Sequence, residues 1–335
     1  MSASAQSPLA RLAVVGAGAW GSVLATLLAE NGHDVRLWMR DAEKAAAWRS
    51  ERRDPDRRTP VELPALVVPT HDLGYALDDA DGAFFAVPNA ALREVLRAAR
   101  AASESPALAI SCSKGLFAPD LSRPSGLISS MLETDVAVLS GPNLAVDIAR
   151  GRPAAATLAH PRERSAATAQ AWLTSRRYRV YREEDVVGVE LAGALKNIVA
   201  LAAGMSDGLS LGENAKAALV TRGLAEMIRL GEHLGGHPQT FYGLAGVGDL
   251  FATAAAKTSR NHGVGERLAS GETIDAILAS GTTAEGIATS LAVDAFAEGH
   301  ELRLPITRQV AAVIRGERTA TAALDMLLAG DPRTE

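Results

Sequence analysis

The chain has 335 residues, of which 47% are hydrophobic and 22% charged, with a formal net charge of -5. That length allows two domains, since single cores rarely grow past about 250–300 residues, and the composition is that of an ordinary globular protein. The acidic balance and scattered basic residues exclude a nucleic-acid footprint. The run "RRDPDRR" mixes acids with arginines and reads as a solvated loop. No basic segment followed by a signal-like apolar core opens the chain. No apolar run is read as approaching the roughly 18–20 residues that span a bilayer. The lone Cys112 permits no intrachain disulfide, which suits a reducing compartment. The expectation is a cytoplasmic protein without integral membrane association.

The first half alternates strand and helix signals. "RLAVVG" reads as a strand, "AWGSVLATLLAENG" as a helix closed by Gly32, and "HDVRLWMR" as a second strand. Further strands are expected at "ALVVP", "GAFFAVP", "ALAISCS", "VAVLSGP", "AAATLA" and "RYRVYR". Apolar strands alternating with helices predict an α/β, largely parallel, doubly wound Rossmann-like sheet. After about residue 188 alanine, leucine and glycine dominate and helical periodicity takes over. The chain is therefore read as a dinucleotide-binding domain over residues 8–190 and an all-helical domain over 191–335.

"VVGAGAWG" places Gly16, Gly18 and Gly21 in a GxGxxG turn between a strand and a helix. Such a turn lets backbone approach a pyrophosphate at the positive end of the helix. At the end of the second strand an acid suits the ribose of NAD and an arginine the 2′-phosphate of NADP. Here Arg40 comes first and Asp41 second, which favours NADP(H), with NAD(H) as the alternative. Three more strand ends carry unusual loops: Val87-Pro88-Asn89, Ser113-Lys114-Gly115 and Ser140-Gly141-Pro142-Asn143. Ligands bind outside the carboxyl ends of strands in such sheets, so four such ends together favour a site.

Only five of the 34 basic residues are lysines: Lys44, Lys114, Lys196, Lys216 and Lys257. Lysine is the basic side chain whose proton affinity shifts readily on burial. Lys196 is the only charge between Leu191 and Met205. At helical spacing Leu191, Leu195, Ile198 and Met205 form an apolar stripe. Gly193, Lys196, Asn197, Ala200 and Gly204 form a second face of small residues, open to a ligand or another helix. A poorly solvated ammonium there has a lowered pKa, useful for proton transfer; a snorkelling or ion-paired structural lysine is the competing reading. "GLAGVGDLFATAAAKTSRNHG" supplies Asp249, Thr253 and Arg260, which share one helix face if the helix runs that far. Asp249 also reads as an N-cap after Gly248. Ser259, Arg260 and Asn261 look like a phosphate cluster. His233 and His237 have metal-ligand spacing, but Gly235-Gly236 weakens the helix and no third ligand is apparent, so no metal is expected. Lys44, Lys216 and Lys257 read as surface residues.

Taken together, "GAGAWG", "SKGL", "LSGPN", "GVELAGALKNIVALAAGMSDG", "NAKAALVTRGLAEM", "GLAGVGDLFAT", "SRNHGVG" and "LPIT" resemble, in order and spacing, the bacterial NAD(P)-dependent glycerol-3-phosphate dehydrogenases. The similarity runs from about residue 11 to beyond residue 310. It implies a Rossmann domain followed by a helical substrate domain. It also implies interconversion of dihydroxyacetone phosphate and sn-glycerol 3-phosphate for phospholipid synthesis, by a homodimer. The resemblance makes Lys196 the proton donor and acceptor. Lys114, Gly141, Asp249, Ser259, Arg260 and Asn261 become substrate contacts, and Ala19, Trp20, Arg40, Lys114, Ala145, Arg260, Thr283 and Glu285 cofactor contacts. Asn197 and Thr253 match further active-site positions. The chain departs from the family at Asn143, where a small hydroxyl residue is usual, and at Thr283, where an aliphatic one is common. Another two-domain dehydrogenase acting on a 3-hydroxy acid, and a non-catalytic NADPH sensor, are the rival readings.

Overall fold

A computed structural model describes residues 9–53, 61–256 and 258–329. Lys257 and most of the "RRDPDRR" run lie outside the described residues. The chain opens with β1 (Arg11–Val15), α1 (Ala19–Glu30), β2 (Asp34–Trp38), α2 (Ala42–Glu51), β3 (Val67–Thr70) and α3 (Leu73–Leu77). β4 (Gly82–Phe85), α4 (Asn89–Ala102), β5 (Leu108–Ser111), α5 (Pro124–Leu132) and β6 (Asp135–Ser140) follow. α6 (Ala145–Ala149), β7 (Ala154–Ala159), α7 (Glu163–Leu173) and β8 (Tyr178–Glu183) complete the α/β part. All eight strand signals of the sequence form strands, in one sheet of order β3-β2-β1-β4-β5-β6-β7-β8. Every neighbouring pair is parallel except β6 with β7. β4 and β5 are buried along their whole length, which is why they read as continuous apolar runs rather than alternating ones. Gly32, at φ +93°, turns the chain left-handed after α1, and the N–H of His33 reaches back to the Leu28 carbonyl.

Beyond β8 no strand occurs among the described residues. The helices are α8 (Val186–Gly208), α9 (Gly212–His233), α10 (Asp249–Ala255) and α11 (Arg260–Ala269), then α12 (Ile274–Ala279), α13 (Glu285–Gly299), α14 (Pro305–Ile314) and α15 (Ala320–Leu328). The chain divides into two compact units. One runs to Ser113 and resumes over Pro124–Val186; the other holds Lys114–Arg123 and everything from Val187 onward. The loop between β5 and α5 is thus part of the helical unit.

α8 is the axis of that unit, with every residue from Gly188 to Ser206 buried. It corrects the expectation that no apolar run approaches membrane-spanning length: α8 is long and apolar enough, but its apolar window is 89% buried inside the protein. A helix apolar all round is a core helix when protein surrounds it. For the same reason its two expected faces are equally enclosed. The small-residue face admits another helix: a side chain on Gly204 would collide with the His262 carbonyl of α11. The "LPIT" segment opens α14 with Pro305 at its first turn. There the buried Glu226 of α9 accepts the backbone N–H groups of Ile306 (2.6 Å) and Thr307 (3.0 Å) and the Thr307 hydroxyl. This carboxylate satisfies donors that the helix itself leaves unpaired.

The Gly204 contact has a measurable consequence. Alanine normally favours a helix interior over glycine by about 1 kcal/mol, whereas a backbone clash in a packed core costs about 1–3 kcal/mol. Gly204→Ala is therefore expected to lower the urea midpoint; a midpoint at or above that of the unaltered protein would contradict the close α8–α11 approach.

Candidate active site

The α/β unit carries Gly16, Gly18, Ala19, Trp20, Gly21, Arg40 and Ala145 of the expected dinucleotide residues, each after the carboxyl end of a strand, whereas Lys114, Arg260, Thr283 and Glu285 belong to the helical unit. Gly16, at φ +114°, ends β1 with its N–H on the Trp38 carbonyl (3.0 Å). Side chains on Gly16 or Gly21 would strike the backbone of Ala86 or Gly16, so packing alone accounts for those two glycines. Gly18 is different: a Cβ there would meet nothing within 4 Å. It caps α1 without a side-chain hydrogen bond, and no acid occupies the first turn. Gly18 and Ala19 are exposed, and an exposed helix start of this kind suits a pyrophosphate. This fits a nicotinamide dinucleotide. At the end of β2, Asp41 is occupied as the N-cap of α2, accepting the Lys44 N–H at 3.0 Å. Arg40 is exposed and has no partner among the described residues, so it is the uncommitted group at the end of β2.

Gly141 and Asn143 follow β6, and Ala145 opens α6. Gly141 sits at φ +120°, and its carbonyl accepts the Asn143 N–H at 2.7 Å. The Asn143 Oδ1 accepts the Tyr178 hydroxyl at 2.8 Å, and its Nδ2 is buried without a hydrogen-bond partner. The Tyr178 ring lies 6.4 Å from that of Trp20. Tyr178 went unnoticed in the sequence because "RYRVYR" reads only as strand.

The helical unit builds a second cluster around Lys196. A 3-10 turn over Pro238–Tyr242 leads into a π-helical turn over Leu244–Gly248 and then α10. A side chain on Gly246 would collide with the Phe241 carbonyl, so the glycines of "GLAGVGD" permit this tight winding. π turns recur at functional sites, and this one delivers Asp249. Asp249 does not cap the helix with its side chain. Its Oδ1 accepts from Lys196 Nζ at 2.6 Å and its Oδ2 from Lys114 Nζ at 2.5 Å. Lys196 also donates to Thr253 Oγ1 at 2.5 Å, and that hydroxyl donates to Asp249 Oδ1 at 3.2 Å. The ammonium has three N–H groups; two are occupied, and the third has no partner among the described residues. Lys196 is only 7% and Asp249 1% exposed. Burial pushes the Lys196 amine down to about 8; Asp249 opposes that fall and the neighbouring Lys114 charge adds to it. Burial would raise Asp249, but the two lysines outweigh it and hold its carboxyl below the usual range.

α10 ends at Ala255 and α11 starts at Arg260, so the helix does not run far enough for Asp249, Thr253 and Arg260 to share one face. The turn between them allows Ser259 to cap α11, its hydroxyl accepting the His262 N–H. Arg260 is exposed and donates to Thr283 Oγ1 at 2.8 Å, just before Glu285 begins α13. Asn261 is buried: its Nδ2 donates to Asn197 Oδ1 at 2.9 Å, and its Oδ1 accepts the Gly286 N–H at 3.0 Å. Asn197 is therefore bonded to Asn261 and not to the lysine amine. His233 packs its ring against Phe296 and His300.

Comparisons with known proteins give the family. The model of the NAD-dependent glycerol-3-phosphate dehydrogenase N-terminus matches residues 11–166, and that of the C-terminus matches residues 185–325. The glycerol-3-phosphate dehydrogenase (NAD(P)+) of Thermus thermophilus is 44% identical over 328 residues, covering 97% of this chain and 100% of its own. That of Geobacillus thermodenitrificans is 42% identical over 330 residues, covering 97% and 96%. The crystal structure of glycerol-3-phosphate dehydrogenase from Coxiella burnetii superposes with a TM-score of 0.89 at 34% identity, covering 96% of this chain and 99% of the other. The chain belongs to the NAD-dependent glycerol-3-phosphate dehydrogenase family.

This family member has five lysines in all, few enough for each to be followed by NMR after 13C labelling. Lys196 is expected to titrate near 8. Asp249 raises its proton affinity, so in Asp249→Asn the midpoint should fall further; an unmoved midpoint would contradict the pairing.

Proposed function

We propose that the protein is an NAD(P)-dependent oxidoreductase that reduces dihydroxyacetone phosphate to sn-glycerol 3-phosphate, with Lys196 as proton donor and acceptor. The observation that carries this reading is the buried amine of Lys196, held by Asp249 and Thr253 with one N–H to spare. Family membership supplies the substrate pair. In this reading residues 8–190 bind the dinucleotide, and residues 191–335, with the Lys114 loop, bind the substrate. The bound reduced nicotinamide supplies the hydride that goes to the C2 carbonyl carbon.

The chain's residues do the remainder. Lys196 donates its remaining N–H to the carbonyl oxygen, stabilising negative charge as it develops and then transferring the proton. Fixed donors in a dry site stabilise such charge by several kcal/mol, roughly. Asp249 holds the amine in place, and Thr253 completes the orientation by accepting one N–H while its own O–H donates a hydrogen bond to Asp249. Lys114 faces the same carboxylate and keeps the site cationic, which suits a phosphorylated substrate. Arg260, exposed at the first turn of α11, is the guanidinium for the phosphate, whose charge also favours a helix N-terminus. Asn261 contributes its second Nδ2 hydrogen, the first being held by Asn197. Family membership suggests further ligand contacts from Gly141, Asn143 and Ala145 in the α/β unit and from Thr283 and Glu285 in the helical unit.

Arg40 supports NADP(H) as the preferred cofactor, because Asp41 is already used as a helix cap. A reducing cytoplasm suits the single buried Cys112. A homodimer is supported by the first half of α9: none of its residues from 212 to 222 is buried, so eleven helical residues have an open face for a second copy. In the cell the product would feed glycerophospholipid synthesis.

The test is a steady-state assay with dihydroxyacetone phosphate and each reduced cofactor. Lys196→Met should lower kcat by roughly a hundred- to ten-thousand-fold, and Arg40→Ala should raise KM for NADPH about ten-fold or more while sparing NADH. NADPH binding without turnover in the unaltered protein would instead fit a sensor. The pH profiles have opposite signs. Reduction needs the ammonium and should fall as pH rises through about 8; oxidation needs the neutral amine and should rise through the same point. An oxidation rate independent of pH, with chemistry limiting, would contradict the role of Lys196.

A further inference from the structure

Glu190 is a buried acid without a part in that mechanism. It lies on α8 six residues before Lys196, about 9 Å along the axis, with its side chain 0% exposed. An unpaired carboxylate in such a place is strongly unfavourable, and an apolar residue of similar volume often serves stability as well. Glu190 is paired with Arg123, whose Nη1 lies 3.0 Å from its Oε2. Arg123 is the last residue of the segment Lys114–Arg123, which belongs to the helical unit although β5 and α5 on either side do not. Lys114 is the first residue of that segment and holds Asp249.

The excursion is thus pinned at each end by one cation on one buried acid of the helical unit. Between the pins, Leu116 and Leu121 are buried and the Phe117 N–H bonds the Ser122 carbonyl at 3.0 Å. Leu121 sits at φ +54°, a conformation that costs a leucine energy and persists only where its surroundings impose it. The segment therefore does not rest in this shape by local preference.

We infer that Glu190 is a positioning residue: through Arg123 it seats the 114–123 segment and so keeps the Lys114 ammonium on Asp249, next to the Lys196 amine. This rests on the reading of Lys196 as the proton donor and extends it to a residue outside the substrate and cofactor contacts assigned above. The groups facing Lys196 are Asp249 and Thr253 from α10 and Lys114 from this segment. Of these, Lys114 lowers the proton affinity of Lys196 and Asp249 raises it. Unseating the segment removes the lowering charge, so the amine should hold its proton to higher pH.

The experiment compares pH profiles of full-length unaltered enzyme, Glu190→Gln, Arg123→Met, Arg123→Lys and Lys114→Met, in both directions. Glu190→Gln and Arg123→Met should each lower kcat for reduction by about ten- to a hundred-fold. Each should also move the oxidation midpoint upward by about one pH unit, as should Lys114→Met. Arg123→Lys, which keeps the cation, should retain the original midpoint. Adding Glu190→Gln to Lys114→Met should produce no further shift, because both act through the same charge. Arg123 is 28% exposed, so its variants carry the test should Glu190→Gln fail to fold. Midpoints unchanged in both Glu190→Gln and Arg123→Met, whatever their melting temperatures, would overturn the inference and leave Glu190 a structural acid. Absence of turnover in the unaltered enzyme would overturn this inference and the functional reading together; turnover with unmoved midpoints overturns this inference alone.

Discussion

One carboxylate shared by two ammonium groups is the interaction on which this site depends. Asp249 gives one oxygen to Lys196 and the other to Lys114, with almost no access to water. A unit pair about 4 Å apart interacts with roughly 4 kcal/mol at an effective dielectric near 20. Even so, desolvation prevails over that attraction at Lys196, whose amine falls to about 8. The cluster carries two positive charges against one negative, so it remains cationic when Lys196 is protonated. That excess suits a phosphate-bearing ligand and makes the amine ready to release its proton. A single lysine–aspartate pair would have been neutral and would have held the proton more firmly.

The rest of the helical unit follows from keeping that cluster dry and fixed. α8 is enclosed on all sides, and glycine at position 204 lets the backbone of α11 approach it. That approach brings Asn261 to Asn197, one residue beyond the lysine. The π-helical turn before α10 delivers Asp249 without spending its side chain on capping. In the α/β unit the same economy of groups recurs: Asp41 is committed to α2, while Arg40 and the uncapped start of α1 are left for a ligand.

Much of the fold could be read from local pattern. Strands buried on both faces appear as short apolar runs, and all eight form; the helix stop at Gly32 was equally visible, because a left-handed cap favours glycine. Lys196 stood out because a charge in an apolar helix needs a reason. The same logic, extended one residue beyond Leu191, would have found Glu190. Other features were hidden because they join distant parts of the chain. Lys114 meets Asp249 across 135 positions and Tyr178 meets Asn143 across 35, and no spacing rule reaches so far. Whether α10 runs on into α11 was left open because "ATAAAKTSRN" is rich in helix formers, and the Ser259 cap marks the restart. The apolar reach of α8 was overlooked because Glu190, Lys196 and Asp207 interrupt its apolar run, although partners inside the protein satisfy all three.

The central claim is spatial, so a crystal structure tests it most directly. Crystals grown with NADP+ and sn-glycerol 3-phosphate should place Lys196 Nζ within hydrogen-bond reach of the substrate C2 oxygen, about 2.6–3.2 Å. Asp249 and Thr253 should still hold the same nitrogen. A C2 oxygen lying well outside that reach, or one bonded to a different proton donor while Lys196 remains locked to its protein partners, would contradict the account.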